Sequence, residues 1–163
     1  MRRPLLLLVS VLATLALVVP GVLLVGGAGP PPSRVRPAAA AGPDARAVLA
    51  DWDRRRSAAW AAGDVDALDR LYVPGSAAGR KDRAMLERWT GRGLVVEDLR
   101  LALISVEVVA AATHRLVLRV TDRVAAGRAV GRGVDVRLPE DGPTTRRVTL
   151  VRAAGEWLVA EVR

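Results

Sequence analysis

Residues 94 to 109 read Leu-Val-Val-Glu-Asp-Leu-Arg-Leu-Ala-Leu-Ile-Ser-Val-Glu-Val-Val, and the fold turns on them. Before this stretch, apolar residues recur every three to four positions; within it and after it they recur every two. A period of 3.6 belongs to an amphipathic helix and a period of 2 to a half-buried strand. Leu99, Leu101 and Leu103 alternate in one phase, then Ile104, Val106 and Val108 alternate in the other. Because side chains in a strand alternate between faces, a change of phase predicts a bulge or sharp bend.

Upstream, Asp44 follows Pro43 as an N-cap candidate, and Ala45, Val48, Leu49, Trp52, Ala59 and Trp60 keep helical spacing. Gly63 is placed to close that helix in a left-handed conformation. Asp64 then caps a second helix carrying Val65, Leu68, Leu71 and Tyr72, ended by the turn Val73-Pro74-Gly75-Ser76. A third helix is expected from about Lys81 to Thr90, with Met85, Leu86 and Trp89 inward.

Downstream, Ala110 to Thr113 reads as a turn. Leu116, Leu118 and Val120 alternate with Arg115, Arg119 and Thr121; Val134, Val136 and Leu138 with Asp135 and Arg137; Val148 and Leu150 with Arg147 and Thr149. Pro139 to Pro143 and Ala154-Gly155 are turn signals, and Trp157 to Val162 closes the chain. Three helices followed by four or five antiparallel strands make an α+β domain over residues 44–163.

The N-terminus has another character. Arg2 and Arg3 precede an apolar run from Leu5 to Ala28, and its uncharged part Leu5 to Val25 would span about 31 Å as a helix. A retained transmembrane anchor is the favoured reading. A cleaved signal peptide, with Gly26-Gly27-Ala28 as the small-residue site, is the alternative. Residues 29–43, with five prolines in fifteen positions, form an extended Pro/Ala-rich linker. A short basic tail ahead of the first apolar run favours export of the residues C-terminal to that run. The expected location is the cell membrane, single-pass, with the C-terminal domain outside, or alternatively secretion.

The net charge of +8 divides evenly. Residues 1–43 contribute four arginines and no acid, and residues 44–163 contribute 21 basic against 17 acidic side chains. An interspersed +4 with few aromatics does not fit a nucleic-acid surface. The chain has no cysteine, so neither disulfides nor a lipid-modified N-terminal cysteine is available. One histidine and no close carboxylate cluster give no metal site, and no cofactor motif is present.

Trp60-Ala61-Ala62-Gly63-Asp64 leading into Leu68-Asp69-Arg70-Leu71-Tyr72, a third helix, a bent antiparallel sheet and the ending Gly155-Glu156-Trp157-Leu158-Val159 together resemble the nuclear-transport-factor-2-like, cystatin-like cone superfamily, in its secreted or membrane-anchored bacterial branch of unassigned function. The resemblance covers residues 44–163. It implies a sheet curled around the helices with a cone-shaped pocket between them. Members include ketosteroid-isomerase-like enzymes, polyketide cyclases, dehydratases and domains that only bind, so the resemblance does not choose a function.

Within such a pocket the candidates for ligand or partner binding are Arg56, Trp60, Tyr72, Trp89 and Asp122. Arg56 falls on the apolar stripe, seven residues after Leu49 and four before Trp60, so it needs a partner. It is either a structural salt bridge or an anion-binding group at the pocket mouth. Trp60, Tyr72 and Trp89 fill core volume or line the pocket. Asp122 shares a face with Val120 and is expected to pair with Arg123 or Arg56. His114 reads as an exposed loop residue, and Asp51 and Asp53 as solvated helix surface. No catalytic residue is assigned. The expected function is an extracytoplasmic, membrane-tethered binding or accessory domain, its partner an envelope protein or a small apolar ligand. The alternative is an isomerase- or cyclase-like enzyme using the same pocket.

Overall fold

A computed structural model describes residues 44–163. The anchor-or-signal segment 1–28 and the linker 29–43 lie outside the described residues. No helix within 44–163 is long and apolar enough to cross a membrane.

Helix α1 spans Ala45–Ala62. The Asp44 carboxylate accepts from the amides of Arg46 and Ala47 at 3.0 and 3.2 Å, which satisfies two of the free donors of the first turn. Gly63 ends the helix at φ 66°, donating to Ala59 and Trp60 carbonyls. Helix α2 is shorter than the sequence pattern suggests, Val65–Asp69. Tyr72 lies beyond it, because the chain there docks on the last strand: Val159 N donates to Leu71 O and Val73 N to Val159 O, both at 3.0 Å. Helix α3, Ala77–Thr90, begins four residues before Lys81, where the sequence pattern placed it. Ser76 caps it onto Gly79 N at 3.0 Å, and Gly79 inside the first turns conceals that start from propensity alone.

The five strands are β1 Val95–Ala112, β2 Arg115–Gly131, β3 Val134–Arg137, β4 Thr144–Ala153 and β5 Glu156–Val162. All pair antiparallel, in the order β1-β2-β4-β5, with β3 also on β2. Strand β2 is the spine. One edge carries β1; the other carries β4 along 115–122 and β3 along 128–131. The phase change in β1 is a real irregularity, with a register shift between Leu103 and Ser105 and others near Arg100 and Val108. The β1–β2 turn is tighter than expected: β1 continues through Ala112, leaving Thr113 and His114 at the corner.

Leu116, Leu118, Val120, Asp122 and Val124 alternate onto one face of β2 and are all buried. The helices cover that face. Leu68, Leu86, Leu118, Leu150 and Val159 are fully buried between the layers. With no disulfide, this apolar contact is what holds the domain together. The architecture is α+β, three helices on a curved antiparallel sheet.

Candidate ligand-binding site

The helices close one end of the interior and leave a cavity of about 550 Å³ at the other. Its walls are Leu49 and Trp52 from α1, Met85 from α3, Leu101 and Leu103 from β1, and Val120, Val148 and Val159 from the rest of the sheet. Its polar groups include Asp53, Arg56, Tyr72, Asp82 and Asp122, with Asp141, Thr144, Thr145 and Arg146 from the β4 side. Exposed Lys81, Pro143 and Arg163 stand at the rim. A cavity of this size, with more apolar than polar wall, is a usual form of a small-molecule site.

Asp82 organises the inner end. Arg56 grips it with two bonds, Nε to Oδ2 at 2.6 Å and Nη2 to Oδ1 at 2.7 Å. Tyr72 OH donates to Oδ2 at 2.7 Å and Trp60 Nε1 to Oδ1 at 3.3 Å. The Arg56 guanidinium also lies 5.7 Å over the Trp60 ring. Burial alone would raise the Asp82 pKa, but the Arg56 charge and the donated hydrogen bonds outweigh it and hold the carboxyl below its ordinary value. Burial likewise disfavours the charged form of Arg56, and the Asp82 charge reverses that, so its pKa rises. Tyr72 is pushed up by burial and stays a neutral donor.

Of the residues singled out from sequence, Arg56, Tyr72 and Asp122 line the cavity. Arg56 occupies the structural of its two readings, since its fork is committed to Asp82. Asp122 points inward with Val120, but its partner is Arg146 across the β2–β4 ladder rather than Arg123 or Arg56. Arg123 reaches Glu140 instead. Trp60 and Trp89 are not in the wall; they meet edge to face at 6.5 Å in the packed end. His114 is exposed at the β1–β2 corner. Among the described residues no group of His, Cys, Asp or Glu is arranged to hold a metal ion.

Asp53 overturns the solvated-surface reading. It lies in the cavity wall, partly buried, and its Oδ1 finds no hydrogen-bond donor among the described residues. Burial lifts its pKa to about 6; Arg56 works against this, and the Asp122 charge adds to it. The helical stripe that places Leu49, Arg56 and Trp60 inward also passes through position 53, and this was the legible signal. Asp82 is the other residue that sequence reading missed. It stands four and seven residues before Leu86 and Trp89 on the buried stripe of α3.

A second, smaller hollow of about 380 Å³ lies beside the start of α3. Its cations are already engaged: Arg80 donates to Gly75 O, and Arg83 to Asp69 and Glu87. It offers a ligand less than the larger cavity does.

No family model matches the chain, and no curated protein does. Solved structures do match. The intermembrane space region of the chloroplast protein ARC6 is 16% identical, with 73% of this chain and 92% of that one covered at a TM-score of 0.55. Aln2 from a Streptomyces species is 14% identical, covering 75% and 90% at a TM-score of 0.51. An uncharacterised Caulobacter vibrioides protein with a cystatin-like fold is 13% identical, covering 72% and 85%, and its TM-score of 0.44 adds no weight. At such identities the likeness is one of fold alone: three helices packed on a curved antiparallel sheet.

Proposed function

We propose that residues 44–163 form an extracytoplasmic binding domain, tethered through the N-terminal apolar segment, that takes a small, largely apolar molecule into the cone. The observation that carries this reading is the cavity of about 550 Å³, apolar on most of its wall. The location outside the cytosol rests on the charge and hydropathy of residues 1–28.

The ligand is tested with a neutral apolar probe, 1-adamantanol, on the full-length chain in lipid nanodiscs. The sequence has two methionines, Met1 and Met85, and Met85 lines the cavity. A ¹³C-methyl label on methionine therefore reports occupancy directly. The Met85 signal shifts saturably, and Val120→Trp, which fills the cavity, abolishes the shift. An unmoved Met85 signal refutes the reading. Topology is tested separately. The chain has no cysteine, so Glu140→Cys on an exposed loop is a unique thiol. A membrane-impermeant maleimide labels it in intact cells; protection until lysis refutes the outward orientation.

Asp53 favours a second reading, an enzyme of isomerase or cyclase type. A carboxyl with a pKa of about 6 in an apolar cavity suits proton abstraction near neutral pH. Such chemistry also needs a donor aimed at the developing oxyanion. Arg56 and Tyr72 donate to Asp82, and Trp52 Nε1 donates to Leu71 O at 2.9 Å. The inner donors are thus engaged within the protein, and the apolar wall favours the binding reading.

A further inference from the structure

We propose that the ligand of this cavity carries a protonated amine, seated against the Asp53 carboxylate, with its apolar body along the β1 and β2 wall. The proposal rests on the cavity being a binding site and adds the chemical class of what it binds.

The argument is a charge balance at the polar end. Three carboxylates, Asp53, Asp82 and Asp122, face two guanidiniums, Arg56 and Arg146. Arg56 gives both its Nε and Nη2 to Asp82. Arg146 gives Nη2 to Asp122 Oδ1. Asp53 is left over, with a solvent-shielded Oδ1 that no protein donor reaches. Lys81 and Asp141, one of each sign, also border the cavity and cancel, and Arg163 is turned to Glu161. Asp53 is the one carboxylate at this end of the cavity without an ion-pair partner. An unpaired, partly buried carboxylate is costly, and a ligand hydroxyl would give it a hydrogen bond while leaving its charge uncompensated. An ammonium supplies both. A ligand carboxylate would add a fourth like charge.

Burial and the Asp122 charge hold Asp53 near a pKa of 6, so it is mainly ionised at pH 7.5 and mainly neutral at pH 5. The groups facing it are Arg56 on α1, Asp82 on α3, Asp122 on β2 and Arg146 on β4. An amine that pairs with the ionised form binds more weakly as pH falls through 6.

The test compares three probes of one shape, 1-adamantylamine, 1-adamantanol and 1-adamantanecarboxylate, by the Met85 methyl shift on the full-length chain in nanodiscs. The amine binds at least tenfold tighter than the alcohol at pH 7.5, the carboxylate binds weakest, and the amine preference collapses at pH 5. Asp53→Asn keeps the shape of the wall and an acceptor for the alcohol and removes the preference; Asp53→Ala also removes the preference. Equal binding of amine and alcohol, or an amine preference that survives Asp53→Asn, overturns the assignment while leaving the cavity reading intact. Failure of all three probes overturns both.

Discussion

Replacing Asp82 by Asn tests how the inner end of the cavity is built. Asp82 and Arg56 are each 9% exposed, and the carboxylate accepts four hydrogen bonds, two from Arg56 and one each from Tyr72 and Trp60. Asn keeps an acceptor for Tyr72 or Trp60 but leaves the guanidinium buried without a counter-charge. Removing one partner of a buried ion pair costs about 3–5 kcal/mol. That is a large part of the roughly 5–15 kcal/mol by which a domain is stable. At a urea dependence of about 1–3 kcal/mol per molar, the midpoint falls by roughly 1–5 M. Trp52, Trp60 and Trp89 are all buried, so their fluorescence follows the transition. Removing the stranded charge as well, in Arg56→Met/Asp82→Asn, restores at least half of the loss. The pH dependence has a definite sign. Asp82 has a folded pKa below its unfolded value of 3.8, so its contribution is full above that value and disappears as pH falls through the folded one. The gap between wild type and Asp82→Asn is therefore flat above pH 5 and narrows below 4. A midpoint that moves by less than about 0.5 M, or a double variant no better than Asp82→Asn, would refute this account.

Asp53→Asn has the opposite sign. Its folded pKa of about 6 exceeds the unfolded 3.8, so ionised Asp53 destabilises the fold increasingly from pH 4 to pH 6. The variant is more stable than wild type by about 3 kcal/mol at pH 7.5, and equal to it near pH 3, by urea unfolding. Gly79→Ala, which in an open helix would gain about 1 kcal/mol, instead loses about 1–3 kcal/mol. The added Cβ would sit 2.8 Å from Tyr72 Cβ, and thermal unfolding reads the loss. Leu118→Ala, at a fully buried position on the cavity-side face of β2, costs about 2–5 kcal/mol by the same measurement and leaves the Asp82 hydrogen-bond network in place.

Much of the fold was legible because its signals are local. Asp44 caps α1 by reaching amides two and three residues away, Gly63 closes it by its own φ, and the phase change at Leu103–Ile104 marks the bulge. The failures were equally physical. Residues 123–131, rich in Ala, Gly and Arg, show no clean alternation, yet they extend β2 because β1 and β3 pair with them on both edges. The second helix stops at Asp69 because the following residues trade helical hydrogen bonds for bonds to β5.

The amino-acid order alone determines that a helical half precedes a sheet half, that no disulfide staples them, and which stripe of α1 faces inward, since each depends on residues within a turn or two of one another. Which charges end up together depends on the packing of distant elements. Arg56 meets Asp82 from a different helix, Asp122 meets Arg146 across a strand pair, and Asp53 is left without a partner because those two arginines are already engaged. A carboxylate without an ion-pair partner in the cavity wall is a property of that three-dimensional arrangement. No spacing rule along the chain encodes it, because charge pairing at contact distance is set by where the sheet and helices bring side chains together.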